Sequence, residues 1–182
     1  MSIKDLRSQN EWMSESHVNE YLDKYIDLSH RNIGESVLLD YNPDTAKRIL
    51  DLGIEDGRLI KLKTHRSHKI VEEAVAIDMS PTMLKRVKEY FAHDNTVKII
   101  EHDLQNSLPE FGQFDAVVSS FAIHHLEHER KKSLYTEIFS IFKPKGIFCN
   151  LEHVASPTQN LHERFFEAIG RLFKHKINPT NY

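Results

Sequence analysis

The sequence predicts a doubly wound α/β domain, a parallel sheet covered by helices on both faces, and three observations predict it. Five short apolar runs are spaced between residues 49 and 152, segments of helical length separate several of them, and the turns after three of the first four runs carry an aspartate. Strands that alternate with helices require right-handed crossovers, and these place consecutive strands parallel. With 182 residues, 40% of them hydrophobic, the chain suffices for one complete core and is short for two.

The elements follow in order. From about Glu15 to Leu39 the chain is helical in character, because Val18, Tyr21, Leu22, Tyr25 and Ile26 recur at three- and four-residue spacings and make one apolar face. Ile49 to Leu52, closed by Gly53, is the first strand. Ala74 to Ile77, closed by Asp78, is the second, "NTVKIIEHD" holds the third, and "FDAVVSSFA" and "GIFCNLEHV" hold the fourth and fifth. Helices are expected from Arg58 onward, over Pro81 to Ala92 with proline in the first turn, and over Glu127 to Phe142. Pro157 to Phe173 reads as a further helix and "KHKINPTNY" as a loose tail.

Composition narrows the function. A formal charge of −3 lacks the basic excess that tracks a phosphate backbone, so nucleic acid is disfavoured as a partner. Cys149 is the only cysteine, which rules out an intrachain disulfide, and no stretch approaches the ~20 apolar residues of a membrane span. A cytoplasmic protein is the expectation, with no membrane partner.

In a doubly wound sheet, ligands bind outside the carboxyl ends of the strands. The residues there are Asp51 to Gly57, Asp78 and Met79, His102 to Leu104, and Ser119 to His125. So many acidic groups disfavour the two phosphates of a dinucleotide and favour a ligand with sugar hydroxyls, an amino group and positive character. The order "LDLGxxDG", "AIDMSPTML", "EHDL", "FDAVVSSFAIHHL" and "KPKGIF", over about residues 46 to 152, resembles the class I S-adenosylmethionine-dependent methyltransferases, in particular their small-molecule branch.

That resemblance implies a Rossmann-like sheet of five strands in the order 3-2-1-4-5 behind an N-terminal helical cap, with the family's final β-hairpin missing. It implies one methyltransferase-like domain over 1–182: the cap at 1–45, a cofactor-binding core at 46–152, and a C-terminal helix and tail at 153–182. It further implies S-adenosylmethionine as cofactor, S-adenosylhomocysteine as product, and a small-molecule acceptor. Gly53 to Gly57 would form the loop beside the methionine part of the cofactor, supported by Asp51. Asp78 would accept hydrogen bonds from the ribose hydroxyls, with Met79 packed on the adenine. Asp103 would accept from the adenine amino group, Leu104 would line the ring, and Ser119 and Ser120 would close the floor near the methyl group. His125 would face the acceptor as a proton-accepting catalytic residue.

Each assignment has a plainer rival. Asp78 could cap the helix that begins near Pro81, Asp103 could only form a turn, and the two serines could only satisfy backbone groups. His125 could be a packed loop residue. Trp12, Tyr21 and Tyr25 could cover the pocket as a lid or pack as core. His124 and His128 stand four apart, as metal ligands on a helix do, yet no Cys or carboxylate cluster completes a set, so no metal is expected.

Three departures from the family pattern are visible. Glu55 stands where the pattern has the middle glycine of the loop, and Lys145 stands where relatives usually carry a second glycine. No strands are expected after the fifth, which leaves an uncovered edge and three readings open: a truncated chain, an edge repaired by pairing or strand exchange with a second copy as a homodimer, or a shortened protein that has lost catalysis. The alternative function, of a different class, is a non-catalytic methyltransferase-like binding module that has lost or weakened its cofactor.

Overall fold

The computed structural model describes residues 10–25, 29–66, 71–152, 154, 156–164 and 167. After a 3-10 turn at Glu11–Met13, the elements are α1 (Glu15–Tyr25), α2 (Ser29–Tyr41), β1 (Arg48–Leu52), α3 (Arg58–Arg66), β2 (Glu73–Asp78), α4 (Pro81–Tyr90), β3 (Val97–Glu101), β4 (Phe114–Ser120), a 3-10 turn at Ile123–His125, α5 (His128–Ser140) and β5 (Phe142–Leu151). The five strands form one parallel sheet in the order β3-β2-β1-β4-β5, which is the expected topology.

The sheet is parallel because its central strands are apolar on both faces. Leu50, Leu52, Val75 and Ile77 pack with Phe114, Val117, Leu134 and Ile138 on one side. Ile49, Ala74, Ala76, Ala116 and Val118 pack with Leu38, Leu39, Leu59 and Ile60 on the other. Strands buried on both faces read as unbroken apolar runs instead of alternating ones. Each fully buried Leu, Ile or Phe contributes about 1.5–3 kcal/mol relative to exposure. Helix α4 begins with Pro81 behind Ser80, whose Oγ accepts from the Met83 amide at 3.4 Å, and it buries Met83, Leu84 and Val87.

Three boundaries differ from expectation. The single helical segment expected from Glu15 to Leu39 is described as two helices on either side of residues 26–28; Ile26 lies outside the described residues. The helix expected to reach Phe142 ends at Ser140, and β5 starts at Phe142 instead of near Gly146. The strand absorbs the difference in an irregularity: between the pairs Phe114↔Phe142 and Ala116↔Ile147, β4 advances two residues while β5 advances five. Lys145 sits in that excursion at φ +70°, so the backbone keeps the glycine conformation without the glycine.

The chain divides into two compact units, Met1–Glu152 and His153–Tyr182. In the second unit residues 159–164 are helical, within the helix expected from Pro157; the remainder of that expectation beyond 167, and the "KHKINPTNY" tail, lie outside the described residues. No helix among the described residues is long and apolar enough to cross a membrane.

Candidate active site

The carboxyl ends of β1, β2, β3 and β4 open onto a cavity of about 690 Å³, a volume that includes the solvent at its mouth. Its lining includes Gly53 and Glu55 after β1, Asp78 and Met79 after β2, Asp103 and Leu104 after β3, Phe121, Ala122 and His125 after β4, and Asn10 and Trp12 from the N-terminal segment.

The loop after β1 is anchored at its base. The amides of Gly53 and Ile54 both donate to the Ile77 carbonyl, at 2.9 and 3.0 Å, and Ile54 is buried. Gly53 is needed for two reasons: its φ is +73°, and an added Cβ would lie 2.3 Å from the Ala122 Cβ. Glu55 has φ +52°, a left-handed conformation that side chains other than Gly, Asn and Asp rarely adopt. Its amide is turned onto Asp78 Oδ2 at 3.1 Å, so the non-glycine residue preserves the turn and links the first strand's loop to the second strand's carboxylate.

Asp78 is therefore not the cap of α4; Ser80 is. Asp78 Oδ1 accepts from the Ser80 amide at 2.8 Å, and burial pushes its carboxyl up to about 6, against the opposing pull of the Ser80 and Met79 amides. Asp103 forms the turn, its Oδ1 accepting from the Gln105 amide at 2.9 Å, and the residue also lines the cavity.

Asp51, Gly57, Ser119 and Ser120 are not brought to the cavity lining. Ser119 is fully buried with its hydroxyl donating to the Leu52 carbonyl at 2.8 Å, and Ser120 donates to Glu35 Oε1 at 3.1 Å. The wall expected of them is made by Phe121, at φ +53°, and Ala122. Gly57, at φ +83°, faces Phe91 and Val87. Asp51 is 1% exposed, and neither carboxylate oxygen has a hydrogen-bond partner among the described residues. Burial, reinforced by the nearby Glu35, Asp78 and Asp56, holds its carboxyl well above the ordinary carboxylate range.

His125 reaches the cavity from the 3-10 turn after β4. Its ring lies 5.3 Å from the Trp12 ring, edge to face, and 3.9 Å from that of His124. Burial, with the His124 charge, lowers its pKa, against the opposing effect of Glu152. Glu152, just past β5, fixes the turn: Oε1 accepts from the Ile123 amide at 2.7 Å, and Oε2 meets His124 Nδ1 at 2.7 Å. Among the described residues no group of three or more His, Cys, Asp or Glu is arranged to hold a metal ion.

A second set of residues was not anticipated from sequence. Arg31, 3% exposed, donates from Nε to Glu35 Oε1 at 2.8 Å and from Nη1 to the Tyr21 hydroxyl at 3.2 Å, and its Nη2 pairs with Glu55 Oε2. Glu35 Oε2 lies 2.5 Å from Arg58 Nε. Tyr21 also packs against Val18, Leu22 and Met83, so it is core at its ring and polar anchor at its hydroxyl. The i,i+4 pair Arg31/Glu35 was the available sequence signal. Trp12 lines the cavity as a lid residue would; the side chain of Tyr25 lies outside the described residues.

A parallel sheet in this order, with a glycine turn after its first strand and acids at the ends of the second and third, defines the class I S-adenosylmethionine-dependent methyltransferase fold. The family model described as a methyltransferase domain matches residues 49–146, more than half of the 182, and the chain belongs to that family. Among solved structures, a DhpI–SAM–HEP complex superposes with a TM-score of 0.67 at 16% identity, covering 91% of this chain and 73% of that one. The Haemonchus contortus phosphoethanolamine N-methyltransferase 1, in complex with phosphoethanolamine and S-adenosylhomocysteine, gives 0.66 at 15% identity, over 86% of this chain and 34% of that one. The YcgJ protein of Bacillus subtilis gives 0.58 at 21% identity, over 78% and 58%. At these identities the likeness is one of fold, and the chain spans little more than half the length of the Bacillus protein and a third of the Haemonchus enzyme. The comparison with curated proteins finds no match.

The cofactor of the family is S-adenosylmethionine, and the residues present fit it. The Asp78 carboxylate keeps acceptor capacity beyond its contacts with the Glu55, Ser80 and Met79 amides, Met79 and Leu104 offer apolar surface, and the described lining contains no lysine or arginine to oppose a cation.

Proposed function

We propose that the chain catalyses S-adenosylmethionine-dependent methyl transfer to a small-molecule acceptor. When bound, the cofactor supplies a sulfonium-activated methyl group, so the protein's own part is to bind, orient and exclude water. The observation that carries the reading is the convergence of Asp78, Met79, Asp103, Leu104 and His125, from three strand ends, on one cavity.

In this reading Asp78 holds the ribose hydroxyls, Met79 and Leu104 flank the adenine, and Asp103 accepts from its amino group. Gly53 keeps the β1 loop close to the ligand, while Asp51 and Gly57 act behind the wall, on the shape of that loop. His125, kept neutral by burial, takes the proton that an N–H or O–H acceptor releases, and Trp12 shields the reacting end from water. With no lysine or arginine in the described lining, an acceptor without a phosphate is favoured, unlike the phosphoethanolamine bound by the Haemonchus protein.

Thermal shift with S-adenosylhomocysteine tests the reading. Wild type is expected to be stabilised by saturating ligand, by about 2.7 kcal/mol at a hundredfold excess over Kd, and Asp78→Ala is expected to lose that response. A well-folded wild type with no response would favour the non-catalytic module.

A further inference from the structure

Glu55 occupies a position where the family pattern has no side chain at all, and the structure invests heavily in holding it. Its side chain is only 12% exposed. Oε1 accepts from the Tyr21 hydroxyl at 2.8 Å and Oε2 pairs with Arg31 Nη2. Arg31 is itself locked by Glu35, which Arg58 and Ser120 hold in turn. A residue recruited only to form a turn would need none of this, and asparagine or glycine would form the turn with less strain.

Glu55 so fixed is one of the residues that line the cavity. An ionised carboxylate offers about four lone-pair sites, and Tyr21 and Arg31 use two. Arg31, absent from the lining, donates its charge-assisted bonds to Glu35 and Glu55. The same lining holds Asp78 and Asp103 and no described lysine or arginine. A cation is the ligand such a surface selects.

We infer that Glu55 is a binding residue for the ammonium group of the amino-acid tail of S-adenosylmethionine and S-adenosylhomocysteine, with Arg31 positioning its carboxylate. The inference rests on the methyltransferase reading above. It turns the loss of the middle glycine into an exchange: the loop gives up backbone freedom and gains a charged contact that a glycine cannot make.

Calorimetry with three probes tests it: S-adenosylhomocysteine, its analogue lacking only the α-amino group, and 5′-deoxy-5′-methylthioadenosine, which lacks the whole tail. Wild type is expected to prefer S-adenosylhomocysteine over the deamino analogue by roughly 10- to 100-fold, as for loss of a hydrogen bond to a charged group. In Glu55→Gln and in Glu55→Gly, which restores the family's glycine and so protects folding, that preference is expected to collapse to within about threefold, with methylthioadenosine affinity unchanged. Variants that keep the wild-type preference, or that weaken all three probes equally, would overturn the inference and leave the methyltransferase reading standing. Failure of folded wild type to bind any of the probes would overturn both.

Discussion

Asp51→Asn tests the electrostatic description of the site in isolation from any ligand. Asp51 is 1% exposed, both oxygens lack hydrogen-bond partners among the described residues, and burial with Glu35, Asp78 and Asp56 holds its carboxyl well above the ordinary carboxylate range. The folded state therefore keeps this proton after the unfolded chain has released its own. In that window the folded state binds one more proton at this group, so unfolding free energy falls as pH rises, by about 1.4 kcal/mol per pH unit. Asparagine has nearly the same shape and no such titration. Urea melts of both proteins from about pH 4.5 upward should show the stability of Asp51→Asn gaining on wild type by about 1.4 kcal/mol per unit, levelling where the folded-state carboxyl ionises. A difference that stays constant with pH would refute the reasoning, whatever its size.

Two further perturbations follow from the geometry. Asp78 titrates at about 6 because of burial, and only its ionised form accepts from both ribose hydroxyls, so affinity for S-adenosylhomocysteine should fall as pH drops through 6, approaching tenfold per unit below it; Asp78→Asn should flatten that dependence. Lys145 is exposed at φ +70°, where an L side chain costs roughly 1–2 kcal/mol and glycine's own entropy returns part of that, so Lys145→Gly should raise stability by about 0.5–1 kcal/mol in thermal melts.

The sheet was legible because its central strands are buried on both faces, which leaves runs such as Ile49 to Leu52 and Ala74 to Ile77 that no exposed element would carry. The residues at the strand ends were legible as a set for a topological reason, since every parallel strand delivers its last residues to the same side. Which of them face the cavity was not. Ser119 and Ser120 lie inside the last turn of pleat, one bonded to Leu52 and the other to Glu35, and the cavity wall begins one residue later, at Phe121. Asp103 forms a turn and also has a place in the lining, whereas the cap that Asp78 could have supplied falls to Ser80. Glu55 was visible as a departure, but its meaning depended on Arg31 and Tyr21, residues 24 and 34 positions away in helices whose periodicity shows only an apolar face. Pairings across that separation are set by tertiary packing and leave no local pattern.

The central claim is that adenosine is gripped between the carboxylates of Asp78 and Asp103. A crystal structure of the protein grown with S-adenosylhomocysteine tests it most directly: the ribose should lie on Asp78 and the adenine beside Met79, Asp103 and Leu104. A folded core with the nucleoside bound elsewhere, or with this cavity holding none at saturating ligand, would contradict the account.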